Sequence, residues 1–151
     1  MSDKMTVYIC TLCRLKDEPE VRPGQQLVER LEARLTPQDR EIIAVETVEC
    51  LGVCTRPCTL AMAAPGKWTV VLGDFDAEKD VEDLVLSLRL YAASENGRVP
   101  KKDRPEAFRR GGVSRTPPRR SEASEIANRT TRYSLFATRS FRFSPARSRS
   151  K

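Results

Sequence analysis

The side chains of this sequence best suited to chemistry are its five cysteines, Cys10, Cys13, Cys50, Cys54 and Cys58. They form a C-x2-C pair and, 36 residues later, a C-x3-C-x3-C run. Histidine is absent. Mixed Cys/His zinc sites, Rieske-type centres and every nucleophile–histidine pair are thereby excluded, so a metal would have to be held by thiolate or carboxylate. The residues after Met1 carry no signal-peptide pattern, and a reducing, cytoplasmic setting is expected. An odd number of closely spaced cysteines there reads as metal or redox chemistry rather than as disulfides. Three chemistries fit: an iron–sulfur cluster, a structural zinc ion, and a dithiol of the Cys10-Thr-Leu-Cys13 type. Ordinary buried thiols are the plain alternative.

Those cysteines need elements to position them. Met5 to Cys10 is β-branched and apolar and reads as a strand ending at the first cysteine. Gly24 to Leu35 carries Leu27, Leu31 and Leu35 at i, i+4, i+8 and reads as an amphipathic helix that Thr36-Pro37 ends. Glu41 to Val48 reads as a second strand, just ahead of Cys50. Thr59–Ala64 and Trp68–Leu72 flank the turn Pro65-Gly66-Lys67 as a hairpin. Val81, Leu84, Val85, Leu88 and Tyr91 mark a second helix, capped by Asp76 and stopped by Asn96-Gly97. The order is β-α-β-β-β-α, an α/β arrangement with a mixed sheet. Consecutive strands of a strand–helix–strand unit run parallel, so their ends share one sheet edge. Cys10 and Cys50 are thus expected at that edge, with Cys13 and Cys54 following on their loops. Gly52 can bend the second loop with φ > 0 and turn amide N–H groups toward sulfur.

Cys50-Leu-Gly-Val-Cys54 after a strand resembles the C-L-G-x-C signature of the thioredoxin-like 2Fe–2S ferredoxins and of the related small subunit of respiratory NADH dehydrogenases. The element order is similar too. C-T-L-C-R near the start, with C-L-G-V-C-T-R-P-C-T and A-P-G-K-W-T-V-V-L-G-D, more closely resembles an uncharacterised bacterial family of predicted metal-binding proteins. The resemblance covers about residues 5–110. It implies a thioredoxin-like ferredoxin fold with Cys50, Cys54 and Cys10 at ligand positions. Cys13 departs from the ferredoxin pattern, whose second ligand lies nearer the first helix; with no cysteine between Arg14 and Glu49, Cys13 must serve if four come from this chain. Cys58 is extra to that pattern, and which four of the five bind stays open.

Charge divides the chain. Residues 1–97 hold 11 Lys/Arg against 17 Asp/Glu, and residues 98–151 hold 16 against 4. An acidic body of −6 and a basic tail of +12 sum to the formal +6. Residues 1–97 are therefore expected to be the metal-binding domain. Residues 98–151, rich in Arg, Ser and Pro, are expected to be mostly disordered, with a short ordered stretch near Pro105 to Arg110. Arg interleaved with Tyr133, Phe136, Phe141 and Phe143 admits single-strand nucleic-acid binding through the tail, although incidental composition is the preferred reading. No apolar stretch reaches the ~20 residues of a membrane-spanning helix. Trp68 is expected in the hairpin core, and Arg14, Arg56 and Lys67 at the cysteine edge, either solvated or docking an acidic partner.

The sequence reading is therefore a 2Fe–2S cluster on Cys10, Cys13, Cys50 and Cys54, with Cys58 spare, transferring electrons to an unidentified redox partner protein. A four-cysteine zinc module and a dithiol protein are the alternatives. No general base or phosphate loop is visible, so an enzyme is not expected. Oligomeric state is open, a homodimer included.

Overall fold

A computed structural model describes residues 4–119. Ten elements follow in order: β1 (Met5–Cys10), α1 (Pro23–Arg34), α2 (Pro37–Ile42), β2 (Ile43–Val48), β3 (Leu60–Ala63), β4 (Thr69–Leu72), α3 (Val81–Ala93), a 3-10 turn (Lys101–Asp103), α4 (Glu106–Gly111) and β5 (Gly112–Thr116). One five-stranded sheet runs β2-β1-β3-β4-β5. The β1/β2 pair is parallel, from Met5 opposite Ile43 to Cys10 opposite Val48. The other pairs are antiparallel. The protein has the expected α/β architecture with a mixed sheet.

The two-residue period of the strands sorts their side chains. Met5, Val7 and Ile9 of β1, Leu60 and Met62 of β3, and Val70 and Leu72 of β4 are buried together. The register agrees, with Val7 opposite Met62, Ile9 opposite Leu60, and Leu60 opposite Leu72. Leu27 and Leu31 of α1 and Leu84, Leu88 and Tyr91 of α3 complete this core. The apolar stripes expected for both helices are the faces they bury. Residues of opposite parity, such as Tyr8 and Val71, are only half-buried.

Local chemistry moves two boundaries. Thr36-Pro37 ends α1 but also starts α2. Thr36 accepts the Asp39 N–H at 3.2 Å, while Asp39 accepts the Thr36 N–H at 2.9 Å, a reciprocal capping box with Pro at the first helical position. The following strand therefore begins at Ile43 rather than Glu41. Similarly, α3 begins at Val81 behind Asp80, while Asp76 accepts the N–H groups of Glu78 and Lys79 in the turn before it.

The ordered body runs past Gly97. The sequence reading closes the domain at Gly97 and expects, beyond it, a short ordered stretch near Pro105 to Arg110 in a mostly disordered tail. That stretch is α4, which buries Ala107 and Phe108, and β5, which the sequence reading does not include, pairs with β4 as the fifth strand. The Gly73 N–H donates to the Gly111 carbonyl at 2.8 Å. The compact unit reaches Pro118. Disorder and nucleic-acid binding by the remainder of the tail lie outside the described residues. Among the described residues, no helix is long and apolar enough to cross a membrane.

Candidate metal centre

The parallel β1/β2 pair does not end its pairing at the last strand residues. Beyond Cys10, the Thr11 N–H donates to the Val48 carbonyl at 2.9 Å and the Leu12 N–H to the Glu49 carbonyl at 3.2 Å. The loop carrying Cys13 is thereby zipped to the chain entering Cys50. Cys10 is also held from its other side, its N–H donating to the Thr59 carbonyl at 3.0 Å. Both cysteine segments leave the same sheet edge, where the sequence places them.

Four of the sulfurs form two pairs. The Cys13 thiol donates to Cys10 Sγ at 3.2 Å. Cys50 Sγ and Cys54 Sγ lie 3.7 Å apart. The first pair is buried and the second exposed. The Gly52 N–H donates to Cys50 Sγ at 3.2 Å from a residue with φ of 76°; a side chain there would meet the strain of the left-handed region.

The pairs communicate. Burial alone would raise the Cys10 thiol. Against it act the Cys13 thiol and the backbone N–H groups of Leu12, Cys13 and Leu51, and the net result is a lowered pKa. The Leu51 amide belongs to the second cysteine loop, so both loops serve the Cys10 sulfur. Cys54 is raised, first by its contact and charge interaction with Cys50 and, further down, by the charge of Cys10. Cys13 is raised by burial and by Cys10, against opposing hydrogen bonds from Thr59. Thr59 and the amides of Leu51 and Leu12 are contributions the sequence did not announce. Thr59 hints at itself only by following Cys58, and backbone amides leave no residue signature.

Cys58 is fully buried in the core, and burial followed by the charges of Cys13 and Cys10 pushes its thiol up to about 12. It lies behind the first pair as a neutral thiol. The bordering cations divide. Arg56 is at the cysteine edge but turned to structural use: its Nε lies 2.7 Å from Asp74 Oδ2, and it donates to the carbonyls of Gly112 and Arg110, each at 3.2 Å. Lys67 lies at the opposite end of the sheet, because the β3–β4 turn points away from the site. Its Nζ closes the C-terminus of α3 at the carbonyls of Tyr91 and Ala92. Trp68 is half-buried rather than core.

Thiolate donors of this kind suit a soft metal. Among the described residues no three Cys, Asp or Glu side chains converge on one point; the four sulfurs group two and two.

Residues 7–118 match the family model described as "Protein of unknown function (DUF1636)". The chain belongs to the DUF1636 family. The matched span runs through β5, in step with the compact unit. No curated protein matches the chain. Among solved structures, a thioredoxin-like [2Fe-2S] ferredoxin from Aquifex aeolicus is similar at 17% identity and a TM-score of 0.52, covering 79% of this chain and 99% of that one. A second structure, of the wild-type thioredoxin-like [2Fe-2S] ferredoxin from Aquifex aeolicus, has 16% identity and a TM-score of 0.48, covering 74% and 98%. The first likeness establishes the fold of this DUF1636 chain.

Proposed function

We propose that the chain holds a 2Fe–2S cluster through Cys10, Cys13, Cys50 and Cys54 and serves as a one-electron carrier to a partner protein. The observation that carries this reading is the grouping of four thiols two and two at one sheet edge, with the Cys10 thiol accepting from Cys13 on its own loop and donating to the Glu49 carbonyl, at 3.2 Å, next to Cys50. The buried pair would hold one side and the exposed pair the other. When bound, such a cluster supplies reversible one-electron chemistry. This chain's own residues would stabilise thiolate at Cys10 through the amides of Leu12 and Leu51, fix Cys50 through the Gly52 N–H, and leave the Cys50–Cys54 side open to a partner. Cys58 would stay protonated behind the site. The fold of the Aquifex aeolicus ferredoxin supports this reading.

Iron and sulfide analysis, with a visible spectrum of anaerobically prepared protein, tests it. Visible charge-transfer absorbance with stoichiometric iron and sulfide, lost in Cys50→Ser, is expected. A colourless, zinc-containing protein would refute it. The 3.2 Å Cys13–Cys10 contact supports a second reading, a dithiol that cycles with a disulfide. A colourless, metal-free protein whose Cys10 and Cys13 oxidise reversibly would favour that one.

A further inference from the structure

One side of the domain gathers cations that have no carboxylate to answer them. Arg30, Arg34, Arg40, Arg56, Arg89 and Arg110 each hold an acidic partner. Arg98, Lys101, Arg104, Arg109 and Arg115 hold none among the described residues. They line two hollows of about 380 and 390 Å³ that share Arg104 and Arg115, between β5 and the stretch from Asn96 to Arg109. Asp103 and Glu106, the carboxylates of that stretch, form no ion pair with any of them.

Arg104 is set in place like a recognition group. Its Nε and Nη2 donate to the Val99 carbonyl at 2.8 and 2.6 Å, and its guanidinium lies 5.1 Å over the Phe108 ring. Its plane is fixed while Nη1 keeps both donors. Arg115 stands beside it on the exposed edge strand. Burial first, and the Arg115 charge second, lower the Arg104 pKa. Two guanidinium groups that repel one another without a carboxylate between them carry an electrostatic cost that an anion would relieve. At the end of the groove Arg98 lies 5.4 Å over Trp68. The planar forks of arginine match phosphoryl oxygens, and five cations over two adjoining hollows exceed what one carboxylate could neutralise.

We propose that this groove binds a ligand carrying two or more phosphoryl groups. It lies along β4 and β5 and includes none of the cysteines, so the site is independent of the metal centre.

Trp68, the sole tryptophan, is a built-in reporter. Titrating the full chain with inorganic tripolyphosphate should change its fluorescence saturably. Arg115→Ala, on an exposed strand position, should weaken binding at least about tenfold, the worth of a charge-assisted hydrogen bond, and Arg104→Gln should do likewise. Arg30→Ala, remote and paired with Glu78, should leave the affinity unchanged. A parallel titration with a single-stranded oligonucleotide separates the sources. Tighter binding than tripolyphosphate, with log K falling against log salt at a slope near about −3 for four neutralised phosphates, assigns the phosphoryl groups to a nucleic-acid backbone. Weaker binding assigns a free oligophosphate. No saturable response to either probe overturns the proposal. So does equal affinity in a folded Arg115→Ala variant, which would put the anion elsewhere on the chain.

Discussion

Gly24→Ala sets two physical effects against each other, and the geometry decides between them. Gly24 is in the first turn of α1, pressed onto the end of β1. An added Cβ would overlap the Cys10 carbonyl oxygen outright, while the Cys10 carbonyl carbon would be 2.9 Å away and the Thr11 Cα 3.3 Å. A real Cβ does not approach such an atom within 3.0 Å, so from 1.8 Å the helix must retreat by about 1.2 Å. A gap beyond 1 Å forfeits about half or more of the attraction across it. Leu27 and Leu31, both fully buried on this helix, are worth about 1.5–3 kcal/mol each, so the loss is about 2–4 kcal/mol. Helix propensity acts oppositely, favouring Ala by at most about 1 kcal/mol. The net expectation is destabilisation by about 1–3 kcal/mol, seen as a melting temperature lower by roughly 4–12 °C. Urea unfolding of the reduced, metal-free chain measures it. A neutral or stabilised Gly24→Ala would show that α1 does not abut Cys10 this closely and would refute the positioning of the first cysteine pair. Gly52→Ala is the matched control: nothing lies within 4 Å of its added Cβ. It should cost only the strain of its positive φ, about 1 kcal/mol.

Arg89→Ala breaks a bidentate pair in which Nε and Nη2 contact Asp39, each at 2.8 Å. With Asp39 buried and Arg89 half exposed, the expected cost is about 1–2 kcal/mol at pH 7. Arg89 first, with Thr36 against the opposing effect of burial, holds the Asp39 carboxyl below the usual carboxylate range. A depressed folded pKa gives stability that is complete above the unfolded value near ~3.9 and is lost as pH falls through the folded value. The difference between wild type and Arg89→Ala should therefore be flat from pH 5 to 8 and shrink below about 4; a gap that widens in acid would contradict this. In the reduced, metal-free chain, alkylation followed by mass spectrometry should label exposed Cys50 and Cys54 first. Cys58, buried and pushed up to about 12, should react only on unfolding, and early labelling of Cys58 would argue against its place in the core. Arg56→Ala removes the Asp74 ion pair and the donors to Gly112 and Arg110. Faster amide exchange across residues 106–116 is expected, with β1 and β3 unchanged; uniform exchange across the sheet would refute a local anchoring role.

What the sequence revealed, and what it hid, follows from where the free energy of each element resides. The leucine spacing of α1 and the stripe of α3 are legible because burial is periodic in the chain itself. The placement of Cys10 and Cys50 at one edge is legible because the chirality and direction of a strand–helix–strand unit leave little choice. By contrast, β5 reads Gly-Val-Ser-Arg-Thr and carries no apolar alternation. It is a strand because β4 offers an open edge and because Arg56 holds the carbonyls on either side of Gly111. Phe108, 3% exposed, anchors the preceding α4 in the stretch near Pro105 to Arg110 where order is expected, yet a single aromatic among the five cations from Arg98 to Arg109 gives no sign of the strand that follows. α2 is hidden for a similar reason: Thr36-Pro37 signals the end of one helix and the start of another with the same two residues. The basic tail of the sequence reading is therefore two things. Its first part, to Pro118, belongs to the fold, where unpaired arginines held over Phe108 and Trp68 are a surface feature rather than disordered charge. A net charge of the whole chain averages over this distinction, whereas the ion-pair census of the folded body separates cations with partners from those held ready for a ligand.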